Sequence, residues 1–418
     1  MTYTEAIEYI HSICWLGSRP GLERITELCN KMDNIQDRLK FIHIAGTNGK
    51  GSVSSMLTRI LVNAGYKVGT FTSPYVYRFN ERMAVNGEPI SDDELAHIIE
   101  IIKPLADSMD DPPTEFELIT AAGFLYFYEQ KCDIVVLECG MGGRLDSTNI
   151  IKKPLLSVIT GIDFDHTAFL GDTLEKIATE KAGIIKDGCP VIYGMMPDSC
   201  AKIIEDSSSL ARPCDYSRLR DINLSLDGAS FYVTGYRKPF KLKLIGGYQP
   251  RNAMLAVSCA EILGIEREII HKGICETVWP ARFEVLSAEP IVIYDGGHNP
   301  QGVEAAVNTV KELFEEKINI ISGVMADKDY DYICSLIKPI AHTVYCVTPD
   351  NSRSLPSKDY AEAFKKQGVT AYAFDSMDSA MEKAYSDSKK ENRPLLGLGS
   401  LYMYKDFKDT LEKVLLSK

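Results

Sequence analysis

The sequence predicts an α/β protein of two domains, each built on a mostly parallel sheet. Three observations carry that expectation. Short apolar runs alternate with stretches of helical periodicity, the pattern of strands buried on both faces. A glycine-rich segment, Ala45-Gly46-Thr47-Asn48-Gly49-Lys50-Gly51-Ser52, joins one such run to an amphipathic stretch. The chain of 418 residues is also longer than one hydrophobic core ordinarily serves.

Taken in order, Phe41–Ala45 is the first clear strand and 46–51 a loop. Val53, Met56, Leu57, Ile60 and Leu61 then recur at helical spacing, and Gly65 fits a C-terminal stop. Segments 68–72, 134–137, 155–160 and Val191–Tyr193 read as further buried strands. Between about 215 and 245 short alternating segments flank Asp227-Gly228, a hairpin signal, and suggest a small antiparallel subdomain. A helix over 252–263 follows.

Near Trp279-Pro280 a second series begins: 291–294, Ile318–Ser322, 344–348, 370–374 and Leu395–Leu398, most of them separated by helical stretches. The expected architecture is an N-terminal phosphate-loop domain, 1–279, with a mostly parallel sheet and a small β subdomain. A C-terminal Rossmann-like α/β domain, 280–418, completes it.

Composition narrows the function. A net charge of −12 argues against a partner tracked through its phosphate backbone, so no nucleic acid is expected. Small anions remain possible, because a pocket can be positive inside an acidic chain. The eleven cysteines are scattered, with no C-x-x-C pair, which speaks against zinc ribbons and redox dithiols. No apolar run approaches the roughly 20 residues needed to span a bilayer, and the N-terminus lacks a basic leader. No membrane association is expected, and the cytoplasm is the expected compartment.

The segment 45–52 is the most informative in the chain. Glycines let backbone N–H groups close around phosphate oxygens, and a helix N-terminus adds partial positive charge. Lys50 is placed to reach β and γ phosphates, and the Ser52 hydroxyl to ligate magnesium. The spacing departs from G-x-x-x-x-G-K-[ST], because Gly51 separates lysine from serine. The bland alternative is a plain strand–turn–helix connection; the flanking strand and helix favour nucleotide binding.

Other candidates stand at strand ends, where open α/β sheets bind ligands. Glu138 closes an apolar run ahead of Gly140, Gly142 and Gly143, and its hard anionic oxygens suit magnesium. A solvated strand-end acid is the alternative. Asp163, Asp165 and His166 follow the 155–160 run, where a lone histidine is as well a structural residue as a ligand. Lys181 falls near the end of a helix that Asp172 and Glu175 would cap and Gly183 would stop. There a lysine is simply favourable with the helix dipole. Asp295 and His298 follow the 291–294 strand, though Asp-Gly-Gly is also good turn chemistry. The Asp327-Lys328-Asp329 cluster is left without a role.

The G-T-N-G-K-G-S form resembles the murein-ligase superfamily. Further blocks are similar to folylpolyglutamate synthase and dihydrofolate synthase: Thr72-Ser73-Pro74, Phe79-Asn80-Glu81-Arg82, Thr114-Glu115-Phe116-Glu117 and Glu138-Cys-Gly-Met-Gly-Gly-Arg-Leu-Asp146. Asp165-His166, Glu180-Lys181-Ala182-Gly183, Arg282-Phe283-Glu284 and Asp295-Gly-Gly-His298-Asn299-Pro300 continue the family's order almost to the end. Three positions depart from it: Tyr75 stands where histidine is common, Ala281 replaces a glycine and Gly297 an alanine.

The resemblance implies an ATP-dependent ligase joining L-glutamate to folate or dihydropteroate through an acyl phosphate. It implies two magnesium ions, with Ser52, Ser73, Glu138, His166 and Lys181 as ligands, Lys181 being carbamylated. It assigns Asn252, Arg282, Asp295 and His298 to the adenosine end of ATP, and places Phe116 and Asp146 near the pterin. Phe116 reads equally as a core anchor and Asp146 as a turn acid. Small molecules are the expected partners, and a monomer the expected state. A phosphate-loop kinase or a nucleotide-switch module would share Lys50 and Ser52 but would need no glutamate.

Overall fold

The computed structural model describes residues 1–13, 17 and 19–416. The chain divides into two compact units. The first comprises Met1–Arg218, Val233–Arg237 and Arg251–Thr277; the second comprises Leu219–Tyr232, Lys238–Pro250 and Val278–Lys418.

The first unit holds strands β1 (Phe41–Ala45), β2 (Val68–Phe71), β3 (Met83–Val85), β4 (Glu88–Pro89), β5 (Ile134–Glu138), β6 (Leu156–Ile159), β7 (Val191–Tyr193) and β8 (Ala211–Pro213). They form one eight-stranded sheet in the order β4-β3-β2-β5-β1-β6-β7-β8. All its pairings from β2 to β8 are parallel; β3 and β4 add antiparallel at the edge. Its helices are α1 (Tyr3–Ser12), α2 (Glu23–Lys31), α3 (Lys50–Asn63), α4 (Asp92–Asp107), α5 (Glu115–Glu129), α6 (Thr167–Leu170), α7 (Leu174–Ala182) and α8 (Asp198–Ser207).

Apolar residues of α1, α2, α4 and α5 pack with Phe41, Phe71, Val135 and Leu137 in one core. Ile177, Ala178, Cys200 and Ile204 of α7 and α8 pack with Ala45, Ile159 and Val191 in another. Strands buried this way are mostly apolar, which is why they read as apolar runs; His43, Thr70 and Ser157 are buried polar exceptions. In α3, Val53, Met56, Leu57, Ile60 and Leu61 are buried as their spacing predicts.

The three-stranded antiparallel sheet contains β9 (Leu219–Ser225), β10 (Gly228–Val233) and β11 (Phe240–Leu242), with β10 central. Leu226-Asp227 makes the hairpin turn, and Gly228, at φ +134°, opens β10. The chain path is interleaved here. The small sheet groups with the second unit, where Leu226 packs on the core, whereas α9 (Gln249–Ile262) from Arg251 onward and α10 (Arg267–Glu276) group with the first.

The second unit's main sheet uses β12 (Glu284–Ala288), β13 (Ile291–Asp295), β14 (Ile318–Ser322), β15 (Ala341–Cys346), β16 (Thr370–Ala373) and β17 (Leu395–Leu398), in the order β12-β13-β17-β14-β15-β16. Only β12 runs antiparallel to its neighbour. Helices α11 (Pro300–Leu313), α12 (Tyr330–Ile337), α13 (Ser357–Lys366), α14 (Met377–Glu391) and α15 (Tyr404–Leu416) alternate with these strands or follow them. The sequence places the third strand of this series at 344–348, but β15 runs from Ala341 to Cys346. Its polar His342 and Thr343 carry no apolar signal.

Candidate active site

Neighbouring strands β5, β1 and β6 end at one edge of the first sheet. Their parallel register pairs Ile44 with Glu138 and Ala45 with Ile159, so the loops after them leave side by side. This is the ligand-binding edge of a doubly wound sheet.

The loop after β1 is laced to the loop after β6. Thr47 N donates to Gly161 O at 2.9 Å, and Thr160 Oγ1 donates to Asn48 O at 2.6 Å. Thr47 Oγ1 donates to Asp163 O and accepts from Asp163 N, both at 3.0 Å. Gly46 lies at φ +149°, and a Cβ there would stand 1.9 Å from Thr160 Oγ1. Gly49 is the left-handed N-cap of α3, at φ +85°. It has no side chain to cap the first turn, which leaves that helix end shaped for an anion. A Cβ on Gly49 would fall 2.7 Å from Asn252 Oδ1, so Asn252, some 200 residues on, borders the phosphate loop. Ser52 is buried in the first turn of α3.

Two lysines converge on this loop. Lys50 Nζ donates to Gly46 O at 3.1 Å and Thr47 O at 3.3 Å. Lys181 Nζ, buried, donates to Gly46 O at 2.9 Å. Lys181 does sit in the last turn of α7, but its ammonium head is bonded to the phosphate loop. The N-cap of α7 is Thr173 rather than Asp172, which pairs with Lys176 at 2.8 Å. Burial, and then repulsion from Lys50, lowers the Lys181 pKa from 10.5 to about 7.

The glycines after Glu138 set the height of Lys181. A Cβ on Gly143 would lie 2.8 Å from Glu180 O and 2.9 Å from Lys181 O. Arg144 N donates to Glu180 O at 2.7 Å, and Arg144 Nη2 pairs with Glu180 Oε1 at 2.7 Å. This brace links the two motifs, and the sequence hinted at it only through Gly143 and Gly183.

Glu138 is buried at the end of β5. Phe116, in the first turn of α5, covers Gly140: a Cβ there would stand 2.5 Å from the ring. The ring also packs on Phe71, with centroids 6.0 Å apart, so it is core-anchored and beside the site at once. Asp146 is buried and accepts from Met141 N (2.8 Å), Thr148 N (3.0 Å) and Thr148 Oγ1 (2.5 Å). Its pKa is raised by burial against those bonds. Asp146 therefore braces the loop after Glu138.

Beneath it lies a residue that sequence reading did not single out. His43 Nε2 is 2.9 Å from Thr148 Oγ1 and 3.1 Å from Cys139 Sγ. Burial pushes its pKa down to about 3, so the ring is neutral.

Ser73 follows β2 in a loop that Glu81 organises, accepting from Val76 N, Tyr77 N and Arg78 N at 2.9–3.1 Å. Tyr75 in that loop takes the Arg82 guanidinium over its ring at 5.2 Å. His166 is left-handed, at φ +50°, with a half-exposed side chain, and its N–H donates to Asp165 Oδ1 at 2.9 Å. Among the described residues no group of three or more His, Cys, Asp and Glu is arranged to hold a metal ion.

The second unit gathers Arg282, Asp295 and His298. Asp295 is buried at the end of β13 and accepts from Gly297 N (2.8 Å), Phe283 N (2.9 Å) and Tyr248 OH (3.3 Å). Burial raises its pKa, and the Arg282 guanidinium opposes that. His298 Nδ1 is 3.0 Å from Gly296 O. In the unassigned cluster, Asp329 caps α12, accepting from Tyr332 N at 3.1 Å.

Residues 44–260 match the Mur ligase middle domain and residues 281–401 the Mur ligase glutamate ligase domain. The dihydrofolate synthase/folylpolyglutamate synthase of Bacillus subtilis (strain 168) is 36% identical over 432 residues, covering 98% of this chain and 99% of that protein. The structure of Mycobacterium tuberculosis folylpolyglutamate synthase complexed with ADP and AMPPCP superposes with a TM-score of 0.89 at 25% identity, covering 100% of this chain and 99% of that one. E. coli FolC in complex with DHPP and ADP superposes at 0.88 and 28% identity, with 99% of each chain covered.

Proposed function

The chain belongs to the folylpolyglutamate synthase/dihydrofolate synthase family of Mur-type ligases, and we propose that its catalytic centre is the edge where Lys50 and Lys181 meet at Gly46. It is an ATP-dependent ligase that adds L-glutamate to a folate-type carboxylate. The convergence of two cations on a glycine-rich helix N-terminus, in a chain of net charge −12, is the observation that carries the site.

In this reading residues 46–52 cradle the triphosphate, bordered by Asn252; for Arg282, Asp295 and His298, within the second unit, the adenosine role is the one the family resemblance implies. Phe116 and Asp146 serve the pterin. The substrate carboxylate oxygen attacks the γ phosphorus and ADP departs, leaving an acyl phosphate. The α-amine of glutamate then attacks the acyl carbon, loses a proton, and phosphate leaves. Lys50 offsets charge spread over the transferring phosphoryl group, where positioning and electrostatics dominate. Magnesium, when bound, supplies further charge neutralisation between phosphate oxygens. Ser52, Ser73, Glu138, His166 and a carbamate on Lys181 are the residues that would hold it. We further propose a monomer as the working unit and the cytoplasm as its compartment.

The test is release of inorganic phosphate from ATP with a reduced folate or dihydropteroate, with and without L-glutamate. Phosphate release that follows glutamate is expected. Phosphate retained on the acceptor would indicate a kinase, and slow glutamate-independent hydrolysis a nucleotide switch.

A further inference from the structure

Arg282 is flanked by two non-glycine residues in the left-handed region, Ala281 at φ +55° and Phe283 at φ +48°. Both are fully buried. That conformation is unfavourable for any residue carrying a Cβ, so two around one arginine must be over-determined by their surroundings.

The surroundings are two carboxylates. Ala281 N donates to Glu284 Oε2 at 2.8 Å, and Phe283 N donates to Asp295 Oδ2 at 2.9 Å. Each carboxylate is itself held. Glu284 Oε2 also accepts from Tyr404 OH at 2.8 Å, and Asp295 Oδ1 accepts from Gly297 N at 2.8 Å. The Ala281 carbonyl accepts from Gly296 N at 3.0 Å and from Arg282 Nη1 at 3.2 Å. The guanidinium passes over Gly296, where a Cβ would stand 2.8 Å from Nη1. The segment is tied on both sides of Arg282, and its side chain has one lane to follow.

We propose that Glu284 and Asp295 are positioning residues that hold Arg282 through the backbone N–H groups of Ala281 and Phe283. Asp295 thus has its oxygens turned inward to the loop, and Glu284 gains a part in nucleotide binding that it acts out only through Arg282. The proposal rests on the reading of Arg282 as a nucleotide contact. Its sharpest consequence concerns residue 281. Glycine adopts φ > 0 without strain, so Ala281→Gly removes the need for the Glu284 bond.

The experiment compares wild type, Arg282→Ala, Glu284→Ala, Glu284→Gln and Ala281→Gly/Glu284→Ala. Affinity for a non-hydrolysable ATP analogue with magnesium is read by calorimetry, and amide hydrogen exchange is read across 281–283. Glu284→Ala is expected to weaken the analogue about tenfold, the scale of one uncompensated left-handed residue, and to speed exchange. Glu284→Gln, whose amide oxygen still accepts, stays near wild type, and the double variant recovers most of the affinity. A double variant no better than Glu284→Ala, or a Glu284→Ala protein that matches wild type in both readouts, overturns the proposal. Normal affinity in Arg282→Ala overturns the nucleotide reading instead, and the exchange data then decide the backbone clamp alone. If Glu284→Ala does not fold, a folded double variant with wild-type affinity supports the clamp, and one with tenfold weaker affinity overturns it.

Discussion

Lys50 and Lys181 share one acceptor: the Nζ atoms lie 3.1 and 2.9 Å from the carbonyl oxygen of Gly46. One lysine opens α3 directly after the loop, and the other comes from α7, 135 residues from Gly46. Two ammonium groups around one carbonyl repel each other, and that repulsion is the second cause of the lowered Lys181 pKa. A triphosphate relieves the conflict for Lys50. A change of charge relieves it for Lys181.

Lys50→Ala is expected to reduce turnover by roughly 100-fold or more, the scale of losing a main electrostatic stabiliser. Stability should change little, because a partly buried lysine at the start of α3 contributes little packing. Steady-state kinetics with thermal unfolding measures both. An active variant with unchanged ATP affinity would remove Lys50 from the site.

Lys181 gives a stability signature that can be checked without substrate. Its amine has a pKa of about 7 in the folded protein against 10.5 ordinarily. Between those values the unfolded chain binds more protons, so stability rises with pH across that window. Below about 7 both states are charged and the full burial penalty is present. Lys181→Met keeps the bulk and discards the charge. In buffer free of carbon dioxide it should be more stable than wild type at about pH 6 by on the order of 2–4 kcal/mol, with the gap closing toward about pH 10. Urea unfolding at both pH values tests this, and a less stable methionine variant at the lower pH contradicts it.

The contrast between these lysines also shows what the sequence could reveal. Lys50 was legible because strand, glycines and helix are contiguous, and buried parallel strands announce themselves as apolar runs. Lys181 was not legible from pattern, since a lysine ending a helix looks the same whether it serves the dipole or reaches another loop. His43 sat unnoticed inside a strand, because only the tertiary fold brings Thr148 and Cys139 to its ring. The left-handed pair around Arg282 carries no glycine or asparagine to mark it. The capping residue of α7 was misplaced by one because Asp172 and Thr173 are both good caps.

Gly143 tests whether the motif after Glu138 sets the position of Lys181. A Cβ there would meet two backbone carbonyl oxygens below 3.0 Å, and neither can swing aside as a side chain can. Gly143→Ala should therefore displace the end of α7. The expected cost is about 1–3 kcal/mol of stability, with a loss of kcat larger than the change in KM for ATP. Wild-type kcat in a destabilised variant would show that the contact is structural only.

The carbamate on Lys181 makes the strongest demand on the chemistry. Carbamylation joins the neutral amine nitrogen to the carbon of carbon dioxide and releases a proton, so a lysine with a pKa near 7 reacts where an ordinary lysine would not. The product exchanges a cation for anionic oxygens, the ligand type that magnesium prefers. It also ends the repulsion with Lys50 at Gly46. Activity should fall when carbon dioxide is stripped from the enzyme and return when bicarbonate is added. Lys181→Ala should abolish ligation with folding retained, and high acetate should partly restore it by filling the vacated oxygen site. If the lysine served only the helix dipole, Lys181→Ala would keep near-normal catalysis and lose a little stability. Near-normal activity in that variant, or indifference of the wild type to carbon dioxide, would end the carbamate assignment. Added mass of one carbon dioxide on the peptide carrying Lys181, trapped by alkylation, would establish it directly.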